Sequence, residues 1–187
     1  MQNNNQILNT IYLSVCCLFL FGSNQAVADI THTNMGSYSF RGNVMVTPCQ
    51  IAPGSEKVPV DFKEVSVKEL YSTGKSKPLL FSIHLINCNT SVFNAVTVTF
   101  NGIENTNLPD HLAINDKSEA NGIGIGLLNL NETPIELNVP SLAQNLADNN
   151  TELQFKAYVE AEPEARTNQT ITYGLFYSTA YYTLNYQ

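Results

Sequence analysis

The chain has 187 residues, with nine lysines and arginines against sixteen aspartates and glutamates, a net charge of -7. An acidic chain without a basic cluster excludes nucleic acid and a polybasic membrane contact as partners. Ten glycines and eight prolines exclude a collagen-like or low-complexity chain, and nine tyrosines with nine phenylalanines exclude disorder.

Ile7 to Phe21 is apolar but too short and too interrupted to span a bilayer comfortably. Ala26-Val27-Ala28 follows as an A-x-A cleavage signature, so residues 1–28 read as a signal peptide and Asp29 as the mature start. The first residues, MQNNNQ, carry no lysine or arginine, which leaves a signal anchor open as the lesser alternative. A lipoprotein at Cys16 is disfavoured because Val15 before it is not small. The expectation is export without stable membrane insertion. About 160 residues remain, enough for one domain.

Cys16 and Cys17 leave with the leader, so Cys49 and Cys88 are an even pair with one possible connectivity. No histidine or cysteine near them has zinc-ligand spacing. In an oxidising compartment they should form a disulfide. Closing a loop of about 40 residues contributes about 4 kcal/mol by the chain-entropy account.

The mature chain alternates with period 2 nearly throughout, broken by Gly, Pro and Asn. Tyr38, Phe40, Gly42, Val44 and Val46 share one parity, stopped by Pro48. Val58, Val60 and Phe62 predict a short strand. Leu79, Phe81, Ile83 and Leu85 predict another, and Val96, Val98 and Phe100 the strongest, followed by a turn at Asn101-Gly102. Leu112 and Ile114, then Ile123 to Leu127, then Ile135 to Val139, then Leu153 to Val159 continue the pattern. The last fourteen residues, from Gly174 to Gln187, read as one long strand. Helical signals are confined to Ser66 to Tyr71 and Ser141 to Ala147. Many short strands in a chain of this length predict an all-β, immunoglobulin-like sandwich with no internal domain boundary.

No catalytic, cofactor or metal site is expected. Gly122-Ile123-Gly124-Ile125-Gly126 lacks the lysine and the βαβ setting of a nucleotide loop, and reads as a strand packed close to its neighbour. His32, His84 and His111 are isolated, with no triad arrangement around them. Glu160, Glu162 and Glu164 surround Pro163, which favours an acidic loop over paired catalytic carboxylates. Asn-x-Ser/Thr matches at Asn89, Asn131, Asn149 and Asn168 matter only in a eukaryotic secretory host.

Both ends of the mature chain are informative. Gly174, Phe176, Ser178, Ala180, Tyr182, Leu184 and Tyr186 lie on one side of the C-terminal strand. The chain stops where an immunoglobulin-like sandwich still needs its last strand, which predicts an incomplete sandwich with an apolar groove that a partner must cover. At the other end, Asp29 to Arg41 alternates through Asn34, Gly36, Tyr38 and Phe40. Two readings stand at this point: an ordinary first strand, or a projecting strand that completes a neighbour by β-augmentation.

Several motifs occur in order behind the leader: Phe40-Arg41-Gly42-Asn43-Val44, Pro48-Cys49 with Cys88, and Val96-Thr97-Val98-Thr99-Phe100 with Gly102. Gly124-Ile125-Gly126-Leu127 and Leu153-Gln154-Phe155-Lys156-Ala157-Tyr158 follow, and the chain ends on a penultimate Tyr186 with Gly174 fourteenth from the terminus. With these the mature chain resembles a pilin subunit of the chaperone–usher fimbriae of Gram-negative bacteria. Asn107 to Leu112, Ala157 to Ala161 and Pro163 to Ala165 resemble most the minor tip-adaptor subunits of P-type pili.

The resemblance implies a structural, non-enzymatic subunit exported through the periplasm to a surface fimbrium, where it supports adhesion indirectly. Residues 29–41 would be a donor-strand extension, using Asn34, Gly36, Tyr38 and Phe40, and residues 42–187 the pilin domain. A periplasmic pilus chaperone would bind along Gly174, Phe176, Ala180, Tyr182, Leu184, Tyr186 and Gln187. An outer-membrane usher and neighbouring fimbrial subunits would be the other partners. The competing expectations are a self-contained secreted sandwich that binds carbohydrate or another ligand, and a fimbrial terminator subunit.

Overall fold

The computed structural model describes residues 37–44 and 47–187. The chain divides into two units, Met1–Asn43 and Val44–Gln187. The expected leader, together with Asn34 and Gly36, lies outside the described residues. In the first unit, residues 37–43 form no strand, and the aromatic rings of Tyr38 and Phe40 are 87% and 94% exposed.

The described residues of the second unit form ten strands and two short helices. The strands are β1 (Gln50–Ile51), β2 (Leu79–Cys88), β3 (Ala95–Gly102), β4 (Glu104–Asn105) and β5 (Leu108–Ala113), then β6 (Ile123–Asn129), β7 (Pro134–Ile135), β8 (Gln144–Asn145), β9 (Asn149–Ala161) and β10 (Ala180–Tyr186). The helices are α1 (Val67–Thr73) and α2 (Pro163–Asn168). One antiparallel sheet runs β1-β2-β9-β6-β5-β4 with β7 beside β6, and a second runs β10-β3-β8.

The alternation in sequence becomes a buried face because each strand has one side turned to the other sheet. Ile83 and Leu85 of β2, Leu153 and Phe155 of β9, and Val96 and Val98 of β3 are all buried. Each such side chain contributes roughly 1.5–3 kcal/mol relative to an exposed one. Phe81, Phe100 and Phe155 meet at the centre, the last two edge to face with ring centroids 5.1 Å apart. The fold is an immunoglobulin-like sandwich, and Cys49 and Cys88 are joined by a disulfide beside β1 and at the end of β2.

β6 departs from alternation because both of its faces are covered, and every residue in it is buried. A Cβ on Gly126 would lie 2.3 Å from the ring of Tyr158. The glycine-rich strand therefore lets an aromatic ring lie directly on the backbone, as the sequence leads one to expect.

Five expectations need correction. The C-terminal strand is shorter than fourteen residues. β3 ends at Gly102, opposite Ala180, so residues before Ala180 have no β3 partner. Residues 172–177 bond instead to the β5–β6 connection, through Asn121 N–H to Thr172 O and Asn115 N–H to Tyr177 O. Asn101-Gly102 is the end of β3, paired to β10, and not a free turn. Ser141 to Ala147 contains β8 at Gln144–Asn145 and no helix, because Ser141 and Gln144 are drawn into pairing along β3. Pro163–Asn168 is a helix where an acidic loop was expected; Pro163 stands in its first turn, where a missing N–H costs nothing. Val58, Val60 and Phe62 alternate in burial but form no ladder. α1 matches its signal: Ser66 caps it by accepting from Glu69 N–H at 3.4 Å.

Candidate strand-binding groove

β10 is the outer strand of its sheet. It pairs with β3 along one edge, from Ala180 opposite Gly102 to Tyr186 opposite Val96, and among the described residues its other edge has no ladder partner. Facing it lies the extended stretch 56–62. Val58, Val60 and Phe62 pack against the core while Lys57, Pro59 and Asp61 face out. Among the described residues, 56–62 makes no backbone–backbone hydrogen bond.

Between these two lips is a cavity of about 810 Å³. Its floor is the core itself: Phe81, Phe100, Ile125, Leu127 and Ala157. Two facing edges with free backbone groups over an apolar floor have the geometry that an added strand needs, since a strand supplies both the hydrogen bonds and alternate side chains.

The lips touch at both ends. At one end Phe62 and Phe176 meet with ring centroids 6.0 Å apart. At the other, the Tyr182 hydroxyl donates to the Ser55 carbonyl at 2.7 Å. Burial pushes the Tyr182 phenol above its ordinary pKa, helped by the nearby charge of Glu56, so it remains a neutral donor. Burial likewise raises Tyr186, aided by Tyr182.

The residues expected to form the groove divide into four groups. Phe176, Ala180 and Tyr182 line the cavity. Leu184 and Tyr186 lie on the same face of β10 and pack against the core beyond it, Tyr186 against Phe93 at 6.4 Å. Gln187 donates to Ala95 O and accepts from Asn94 N–H at 3.0 Å, which ties the end of β10 to the start of β3. Gly174 is elsewhere: its φ is 147°, and a Cβ there would lie 2.5 Å from Glu119 Cβ, so it makes room for the β5–β6 connection and not for an incoming strand. Sequence reasoning missed the second lip as a site. Its signal was an apolar alternation at Val58, Val60 and Phe62 with no hairpin partner nearby.

A second polar cluster lies across β5 and β9. His111 Nε2 is 2.9 Å from Glu160 Oε2 and 3.1 Å from the Tyr158 hydroxyl, and Nδ1 is 2.8 Å from Pro109 O. Lys75 Nζ is 3.5 Å from Glu160 Oε2. Burial and the Glu160 charge push the Tyr158 phenol up to about 12. Each of these side chains has a partner within the fold.

Known proteins share this architecture. A family model described as fimbrial protein matches residues 38–187. The putative minor fimbrial subunit PmfF of Proteus mirabilis (strain HI4320) is 40% identical over 174 residues, which is 92% of this chain and 94% of the relative. The fimbrial adapter PapK of Escherichia coli is 34% identical over 157 residues, 80% of this chain and 86% of the relative. The crystal structure of the P pilus rod subunit PapA superposes with a TM-score of 0.64 at 25% identity, over 75% of this chain and 100% of that one. With a family model spanning the whole described sandwich and relatives of this similarity, the chain belongs to the fimbrial protein family.

Proposed function

We propose that this chain is a minor structural subunit of a chaperone–usher fimbria, assembled by strand addition and without enzymatic activity. One observation carries the reading: the free edge of β10 faces the free lip at 56–62 over an apolar floor. A periplasmic chaperone first covers this groove with a strand of its own. At the outer-membrane usher, the N-terminal extension of a neighbouring subunit replaces that strand. Residues 29–41 of this chain, with the exposed rings of Tyr38 and Phe40, serve the next subunit in turn. Head-to-tail addition of this kind builds a fibre and not a closed oligomer. The names of PmfF and PapK favour a minor or adaptor position in that fibre.

The test uses the full chain co-expressed with its pilus chaperone in the periplasm. Ala180→Arg places a charge in the groove and should abolish co-purification with the chaperone. Val92→Ser, at an exposed site outside the cavity lining, should leave it intact. Deleting residues 29–40 should preserve the chaperone complex and stop the subunit from joining onward. Normal assembly of the deleted form, or chaperone binding untouched by Ala180→Arg, overturns the reading.

A further inference from the structure

We propose that Ile103, Tyr173, Leu175, Tyr177 and Tyr181 form a docking surface outside the groove, and that its occupant is the globular body of the sibling subunit whose extension fills the groove. The inference rests on the strand-addition reading above and adds to it a second contact, folded domain against folded domain.

The five side chains gather at the end of the groove where Phe62 meets Phe176. Tyr173 is 83% exposed and Leu175 62%. Tyr177 and Tyr181 are exposed and also reach the cavity wall, which makes the surface continuous with the groove. Ile103 follows directly on Gly102, the residue opposite Ala180, and is exposed as well. Large apolar side chains scattered singly over a surface need no explanation, but five at one end of a groove do.

The segment that carries three of them is fixed in place. Thr172 and Asn121 exchange backbone hydrogen bonds of 3.1 Å, Leu175 O accepts from Glu119 N–H at 2.7 Å, and Tyr177 O accepts from Asn115 N–H at 2.7 Å. A surface already ordered loses little entropy on docking. On the supporting connection stand Asp116, Lys117 and Glu119, exposed charges of both signs that form a polar rim.

Strand direction and chain length select the occupant. The ladders among the described residues are antiparallel, and an added strand beside β10 takes the same sense because antiparallel pairing is slightly more stable per residue. β10 runs from Ala180 to Tyr186, so such a strand finishes at the Ala180 end, and the body that follows it emerges beside residues 173–177. In this chain residues 41–48 separate Phe40 from Cys49. Eight residues reach at most about 28 Å, so a sibling of like design holds its body over the exit of the groove. Five side chains fall short of the roughly 20–30 residues a side of a free-standing interface. The inserted strand makes up the difference, because it turns docking of the body into an intramolecular step.

The experiment takes the full chain in complex with its pilus chaperone and fills the groove in two ways. One uses the synthetic extension peptide of a sibling subunit, the other that whole sibling delivered from its own chaperone complex. The sibling used is the one whose peptide displaces the chaperone fastest. Hydroxyl-radical footprinting should find Tyr173 and Leu175 protected by the whole sibling and fully reactive with the peptide. With the double variant Tyr173→Ser/Leu175→Ser, the whole-sibling complex should melt about 3 °C lower than with the parent chain, while the peptide complex melts unchanged. Val92→Ser, an exposed site at the Tyr186 end of β10, should change neither complex.

Equal reactivity of Tyr173 and Leu175 in the two complexes overturns the docking surface and leaves strand addition standing. So does a double variant whose two complexes melt as the parent's do or fall together, and so does protection of Val92 in their place. If neither peptide nor sibling displaces the chaperone, strand addition fails and the docking surface with it.

Discussion

Phe100 of the three-stranded sheet meets Phe155 of the seven-stranded sheet edge to face, with ring centroids 5.1 Å apart. Phe155 is fully buried and Phe100 nearly so, and Phe100 also forms part of the groove floor. The same contact thus holds the sheets together and shapes the floor of the groove.

Phe155→Ala should destabilise the sandwich by about 3–5 kcal/mol, the cost of removing a large buried ring. Phe100→Ala should cost stability as well and also deepen the groove. Denaturant unfolding of the oxidised protein measures both. A change under about 1 kcal/mol for Phe155→Ala would contradict its central place in the core.

Gly126→Ala should destabilise by about 1–3 kcal/mol, because the new methyl group meets the Tyr158 ring. Combining it with Tyr158→Ala should recover part of that loss, since the two positions are in direct contact. Strictly additive losses in the double variant would show that the ring is not the obstacle.

Reducing the Cys49–Cys88 disulfide should lower stability by roughly 2–4 kcal/mol. The loss should appear as greater susceptibility to protease before assembly. Mass analysis without reductant checks the premise, and two free thiols in the exported protein would refute it.

Tyr158 gives a pH dependence with a definite sign. Its phenol is pushed up to about 12 in the fold, above the ordinary value of 10.0. The folded state keeps a proton that the unfolded chain releases, so the contribution is complete below pH 10 and is lost as pH rises through about 12. Tyr158→Phe should flatten the fall in melting temperature across that window. Tyr182 and Tyr186, raised in the same direction, should leave part of the slope in place.

Much of this architecture is written locally in the chain. Period-2 alternation in Leu79 to Leu85, Val96 to Phe100 and Leu153 to Val159 gives strands and their buried faces, because side chains on a strand alternate whatever it pairs with. Ser66 announces its helix because a cap acts over three residues. Cys49 and Cys88, an even pair, name their own partner. Parity puts Phe176, Ala180 and Tyr182 on one side of the chain together with Gly174, Leu184 and Tyr186, and of these six only the first three line the cavity. Tertiary structure decided which strand edges have partners. The alternation of Val58, Val60 and Phe62 is the same whether that stretch sits in a ladder or stands free as a lip. The break before Ala180 depends on where β3 ends, many residues earlier in the chain. The Tyr182–Ser55 bond joins positions 127 residues apart, and only the packing of two sheets brings that hydroxyl to that carbonyl. Periodicity reports the faces of a strand, whereas a free edge depends on what the rest of the chain leaves unpaired.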